Sequence, residues 1–156
     1  MSEFYFIEAE ANSDKEAIKL CADVLHKNGC VLDEFYDSCI ERESTYPTGL
    51  TDYCPVALPH TSKDHVLKEA ICVLRLKNPV KFHSMEDIDQ EIDVNIVINM
   101  ALLDDAEHIQ IISRIVNNLK QPSFVYFLYR LVGCIAKEWT SFNGVLEVKG
   151  GSGGCH

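Results

Sequence analysis

The sequence predicts an α/β fold in which a single mixed β-sheet carries helices packed on both faces. Three observations lead there. Ile92, Val94, Ile96, Ile98, Met100 and Leu102 alternate with Asp93, Asn95, Val97, Asn99 and Ala101, the period of a central strand. Amphipathic helical stretches stand before and after it, so strands and helices intermingle along the chain rather than segregating. Finally, 156 residues that are 47% hydrophobic and 24% charged are enough for one domain with its own core. A chain of this length buries about 70% of the surface exposed when unfolded, so it needs no disulfide or metal to hold a core.

From the N-terminus, Phe4 to Ala9 is a short aromatic and apolar run. Ser13-Asp14-Lys15-Glu16 then forms a capping box, in which a serine hydroxyl accepts from a first-turn amide and a glutamate reaches back. Ile18, Cys21, Val24 and Leu25 recur at helical spacing behind it, and Asn28-Gly29 supplies the C-terminal cap. A second helix is expected from the stripe Leu32, Phe35, Tyr36, Cys39 and Ile40, running into Glu41-Arg42-Glu43 before Pro47 and Gly49 forbid continuation. Arg42 thereby falls near a helix C-terminus, where a cation is favoured by the macrodipole.

Thr45 to Tyr53 reads as a loop, and Val56-Ala57-Leu58 as a short buried strand that Pro59 ends, since proline has no amide hydrogen for a ladder. His60 follows at once. Ala70 to Lys77 is β-rich and is expected to close at an Asn78-Pro79 turn, with Val80-Lys81-Phe82 as a hairpin return. Met85 to Glu91, with four carboxylates, reads as a solvated loop without calcium-loop spacing. After the central strand, Asp104 or Asp105 caps a helix whose stripe is His108, Ile112, Ile115 and Leu119, placing His108 in the first turn. Pro122-Ser123 opens a further apolar helix to about Trp139, and Asn143 to Lys149 fits a final short strand. The expected organisation is one domain over residues 1–149 and a flexible glycine-rich tail over 150–156.

Fourteen Lys and Arg against 24 Asp and Glu give a formal charge of −10, which opposes any broad electrostatic grip on nucleic acid or anionic lipid and favours a basic partner protein. Seven cysteines, an odd number with no C-x-x-C pair, argue against a disulfide framework and a zinc ribbon. Cys21, Cys39 and Cys72 fall on apolar stripes, where a thiol acts as a small core residue. A reducing cytoplasm is expected, with no signal peptide and no membrane insertion.

Singly, the candidate functional residues have ordinary structural explanations: His108 as a packed helix residue, Arg42 as a surface ion-pair former, His60 as a hydrogen-bonded histidine. Together, a histidine at a strand's carboxyl end, a second in the first turn of a helix and an arginine at another helix end suit one crevice that receives a phosphoryl group. A neutral imidazole is a competent nucleophile near pH 7. Phosphoryl transfer asks mainly for positioning and for positive charge around the three equatorial oxygens. Neither a metal-ligand spacing nor a cofactor motif accompanies these residues; His60 and His65 do not form H-E-x-x-H.

Arg42-Glu43, Tyr46-Pro47-Thr48-Gly49-Leu50, Val56-Ala57-Leu58-Pro59-His60 and Glu107-His108-Ile109-Gln110, in this order, resemble the enzyme IIA domains of the bacterial sugar phosphotransferase system. The likeness runs from about Glu10 to Leu131, is to the fructose and mannitol class, and is greatest to its galactitol-specific branch. It departs at Thr61, where mannitol domains tend to have glycine, and in the Arg42 to His60 interval. The resemblance implies that His60 takes a phosphoryl group from the histidine-containing phosphocarrier protein and hands it to a cysteine of enzyme IIB, with membrane-bound enzyme IIC downstream. It implies that His108 orients the phosphoryl group and Arg42 neutralises it. A regulatory module, whose phosphorylation at His60 controls binding to another protein, is the alternative that relatives in nitrogen regulation suggest.

Overall fold

The computed structural model describes residues 3–51, 55–106, 109–110, 113–114 and 117, and the backbone of 140–142 and 145–150. Strand β1 (Glu3–Ala9) is followed by α1 (Asp14–Lys27), α2 (Phe35–Thr45), β2 (Gly49–Leu50), β3 (Val56–Ala57), β4 (Ala70–His83), β5 (Glu91–Ala101), β6 (Thr140–Phe142) and β7 (Val145–Gly150). The strands form one mixed sheet in the order β2-β3-β5-β4-β1-β7-β6. β1 runs parallel to β4 and β3 parallel to β5, whereas β4 and β5 are antiparallel. The expected α/β class with a single mixed sheet is what the chain forms.

Helix α1 has the ends its sequence prescribes. The Ser13 hydroxyl accepts from the Glu16 amide at 3.1 Å, although the Glu16 carboxylate reaches the Asn12 amide instead of the serine's own. At the other end Gly29 takes φ 74°, and the amides of Gly29 and Cys30 donate to the carbonyls of His26 and Leu25, a Schellman closure that a side-chain-free residue permits. Ala17, Ile18, Cys21 and Leu25 of α1, with Phe35 and Cys39 of α2, pack on Tyr5, Ile7, Cys72, Leu74 and Val97 of the sheet. Phe6, Val73, Ile98 and Met100 point to the opposite face and are buried too. Both faces of the central strands are thus withdrawn from water, as parallel pairing requires.

Three local expectations need correction. The stripe placed Leu32 in the second helix, yet α2 begins at Phe35 and Leu32 is 38% exposed, because the Leu32 carbonyl is used to start the turn at the Phe35 amide. Within the expected loop, Gly49 and Leu50 pair with Ala57 and Val56 as β2. No hairpin forms at Asn78-Pro79. β4 runs straight through, and its pairing with β5 slips between Arg75 and Val80, so the extra residues bulge outward where Pro79 owes no ladder hydrogen bond.

The acidic stretch Met85 to Gln90 is exposed, as expected of a solvated loop. The final strand appears as β7, whose Gly150 pairs with Phe4, with β6 beside it. The helix expected over Pro122 to Trp139 lies outside the described residues. Among the described residues, no helix is long and apolar enough to cross a membrane. Cys21, Cys30, Cys39 and Cys72 are buried thiols, whereas Cys54, Cys134 and Cys155 lie outside the described residues. Burial first, and then the nearby Glu43 carboxyl, push the Cys39 thiol well above its ordinary range, which leaves it inert as a nucleophile.

Candidate functional site

Strand β3 ends at Ala57 opposite Val97 while its parallel neighbour β5 runs on to Ala101, and the chain leaves β3 through Leu58-Pro59 to reach His60. The Met100 amide donates to the Pro59 carbonyl at 3.1 Å, and His60 itself bridges to Met100, so the histidine is fixed to the sheet at the carboxyl end of β3. Such ends are where open α/β sheets leave room for ligands. A cleft of about 560 Å³ opens there, and both Arg42 and His60 line it. The sequence-predicted pair therefore meets in one crevice. His108 lies outside the described residues.

His60 is 8% exposed. Its Nδ1 stands 2.8 Å from the Leu58 carbonyl oxygen, which can only accept, so Nδ1 carries the hydrogen. In the neutral ring this leaves the lone pair on Nε2. The backbone has thereby chosen the nucleophilic nitrogen.

Arg42 reaches the cleft from the last turn of α2, with its guanidinium 5.5 Å from the centre of the Tyr46 ring. This cation–π contact holds the arginine near the mouth without neutralising it. Thr48, Thr61 and Ser62 also line the cleft. Thr61, the residue that departs from the mannitol pattern, is buried and shares a short hydrogen bond with Ser38 of α2, tying the segment after His60 to the helix that bears Arg42. One carboxylate, Asp105, lines the cleft as well and accepts from the Lys63 amide at 3.3 Å. Helical backbone is present at 105–106, 109–110, 113–114 and 117, where Asp104 accepts from the Ala106 amide as the cap expected there. Exposed Tyr46, Met85 and Ile109 form an apolar rim. Among the described residues, no three His, Cys, Asp or Glu side chains gather around a point that would hold a metal ion.

Beneath the cleft lies a residue that sequence reasoning passed over. Glu43 is 7% exposed and accepts from the Thr48 amide at 2.9 Å and from the Thr48 hydroxyl at 2.9 and 3.1 Å. Burial pushes its carboxyl up to about 7, against the Thr48 hydrogen bonds, which favour ionisation. The signal was present in the pair Arg42-Glu43 at a helix end: when one of two adjacent charged residues faces the mouth of a cleft, the next points about 100° away, here into the core. Gly49 is also dictated by the site's scaffold, because a β-carbon there would stand 2.5 Å from the His83 carbonyl and 2.7 Å from Ile92 Cδ1.

With this geometry established, similarity to known proteins becomes informative. The family described as phosphoenolpyruvate-dependent sugar phosphotransferase system, EIIA 2, matches residues 2–131. The chain is 30% identical over 112 residues to the galactitol-specific EIIA component of Escherichia coli (strain K12), covering 71% of this chain and 74% of that protein. It is 31% identical over 141 residues to the mannitol-specific phosphotransferase enzyme IIA component of Halalkalibacterium halodurans, covering 88% and 89%. It is 30% identical over 154 residues to the mannitol-specific EIICBA component of E. coli (strain K12), but spans only 22% of that protein's length. Among solved structures, the complex of enzyme IIA-mannitol with phosphorylated enzyme IIB-mannitol from E. coli aligns with a TM-score of 0.62 at 30% identity, over 76% of this chain and 79% of that one.

Proposed function

Given that the chain belongs to the EIIA type 2 family of the phosphoenolpyruvate-dependent sugar phosphotransferase system, we propose that His60 is its transient phosphoryl carrier. The donor is the histidine-containing phosphocarrier protein and the acceptor is a cysteine of enzyme IIB, with enzyme IIC moving the sugar downstream in the membrane. The observation that carries this reading is the hydrogen bond from His60 Nδ1 to the Leu58 carbonyl within a cleft shared with Arg42.

In the first step the Nε2 lone pair of His60 attacks phosphorus. The bond from phosphorus to the donor's imidazole nitrogen breaks, and its electron pair stays with the donor ring. His60 keeps its Nδ1 hydrogen, held by the Leu58 carbonyl, so the phosphorylated ring carries positive charge. Arg42 offsets the charge on the equatorial oxygens, and His108 is the residue proposed to orient the phosphoryl group. In the second step a thiolate of enzyme IIB attacks, and the breaking N–P bond returns its pair to Nε2. Because Nδ1 has remained protonated, the ring departs as neutral imidazole rather than as a strongly basic anion. That is what keeps the second transfer easy.

The exposed rim of Tyr46, Met85 and Ile109 supports docking of both partners over the same cleft in turn, which a carrier requires. The work takes place in the cytoplasm, on the side where phosphoenolpyruvate supplies the phosphoryl group. Relatives named for galactitol and for mannitol support a sugar alcohol of this kind as the transported solute, galactitol-like in its branch. Incubation with phosphoenolpyruvate and the general phosphotransferase proteins should label the chain with an acid-labile, base-stable phosphate, and His60→Ala should abolish it. Normal labelling of His60→Ala overturns the proposal.

A further inference from the structure

Four buried groups lie in a row behind the phosphorylation site. The Glu43 carboxyl accepts from the Thr48 hydroxyl at 2.9 Å, that hydroxyl's oxygen accepts from the Leu58 amide at 3.0 Å, and the Leu58 carbonyl accepts from His60 Nδ1 at 2.8 Å. With Glu43 ionised, every direction in this row is forced. The Leu58 amide can only donate, so Thr48 Oγ1 spends a lone pair on it and its single hydrogen goes to Glu43. A peptide whose amide donates to an anchored acceptor has a more electron-rich carbonyl, because bonds in such a chain polarise one another. The charge on Glu43 is thereby transmitted to the Leu58 carbonyl, the group that holds the His60 hydrogen.

We propose that Glu43, acting through Thr48 and the Leu58 peptide, is a positioning residue for phosphoryl transfer at His60. It does the work of a carboxylate placed beside a histidine while standing one hydroxyl and one peptide away, outside the cleft. Glu43 borders instead a second cavity of about 320 Å³. From there it can exchange its proton without disturbing a phosphoryl group on the other side of the wall. Asp14 of α1 and His83 of β4 face the Glu43 carboxyl from the neighbouring elements, Cys39 from its own helix, and Lys15 of α1 lines the same cavity. The inference rests on the reading of His60 as phosphoryl acceptor, but two of its consequences are separable from that reading.

The test uses the full chain, Glu43→Gln, Thr48→Val and Thr48→Ser, with phosphoramidate as a small donor that needs no partner protein. Nε2 attacks its phosphorus, the P–N bond breaks, and ammonia leaves with the pair. Wild type is expected to hold the His60 ring in the Nδ1–H form by long-range nitrogen–proton NMR. Glu43→Gln and Thr48→Val should mix the two tautomers and slow phosphorylation about tenfold, on the scale of one lost charge-assisted hydrogen bond. Thr48→Ser should recover most of the rate lost in Thr48→Val, and Glu43→Gln should flatten the part of the rate profile that changes near pH 7. Wild-type tautomer and wild-type rate in folded Glu43→Gln overturn the inference while leaving His60 as acceptor. Failure of wild type to be labelled at His60 overturns the functional reading instead, with the tautomer measurement still deciding the role of Glu43. Should Thr48→Val not fold, Glu43→Gln, which changes almost no volume, decides through the same readouts.

Discussion

His60 and His83 make the same local bond in two regions of the molecule. Each ring donates from Nδ1 to a backbone carbonyl, Leu58 at 2.8 Å and Ile88 at 2.7 Å, and each borders a cavity, the two cavities standing on either side of Glu43. The surroundings differ. His60 is buried at the carboxyl end of β3, in a cleft lined by Arg42, Thr48, Thr61 and Ser62 and, among the described residues, by one carboxylate, Asp105. His83 is exposed at the end of an antiparallel pair, and its cavity sets two carboxyls, Asp14 and Glu43, against Lys15. A fixed tautomer is thus common to both. In the His83 cavity the two carboxyls outnumber the one cation, whereas the His60 cleft matches Arg42 to Asp105 alone among the described residues, so the surroundings of the ring, rather than its hydrogen bond, set the proposed carrier apart from His83.

The largest effect expected from this contrast is all-or-none. His60→Ala should lose phosphorylation entirely, whereas His83→Ala should be labelled at close to the wild-type rate in a time course with the general phosphotransferase proteins. Equal loss in both variants would erase the distinction. Next comes the charge difference itself. Arg42→Ala should slow phosphorylation by about 100- to 1000-fold, the range seen when a donor aimed at a developing phosphoryl or oxyanion charge is removed, and Arg42→Lys should recover part of it. A rate within a few-fold of wild type would return Arg42 to the surface.

The wall between the two regions gives a pH signature. Folded Glu43 keeps its proton to about pH 7, while the unfolded carboxyl releases it at its ordinary value of 4.5. Across that window the folded chain binds more protons, so this group's contribution lowers stability as pH rises, by about 3 kcal/mol in all. Urea unfolding of wild type and Glu43→Gln between pH 4.5 and 8 should show a difference that grows in favour of the glutamine variant with rising pH. A constant difference would mean that Glu43 is ionised throughout. Smaller still is the packing effect at Gly49, which backs directly onto the His83 carbonyl. Gly49→Ala should lower the unfolding free energy by about 1–3 kcal/mol, as overpacking against backbone does, read from the urea midpoint.

Much of the frame was legible because single local rules dictated it. Ser13 and Gly29 could only begin and end α1, and the period-two run could only be a strand buried at the centre. His60 was legible for the same reason, since a proline closes the short strand β3 and leaves the next residue at its carboxyl end. The misread places were those where tertiary pairing outweighs local preference. Asn78-Pro79 has the composition of a turn, but β4 gains more by continuing along β5, and the bulge absorbs the proline. Gly49 and Leu50 become a strand only because β3 offers them an edge. Glu43 was missed because a glutamate at a helix end reads as solvated until Thr48, folded back five residues later, supplies two donors for it.

The central claim is that His60 receives the phosphoryl group on Nε2 because Leu58 holds Nδ1–H. Phosphorus and nitrogen NMR of the nitrogen-15-labelled chain after phosphorylation tests it most directly. The account predicts one phosphorus–nitrogen coupling, to His60 Nε2, with the hydrogen retained on Nδ1 and His83 unchanged. Coupling to Nδ1 of His60, or to any nitrogen of His83, would contradict it.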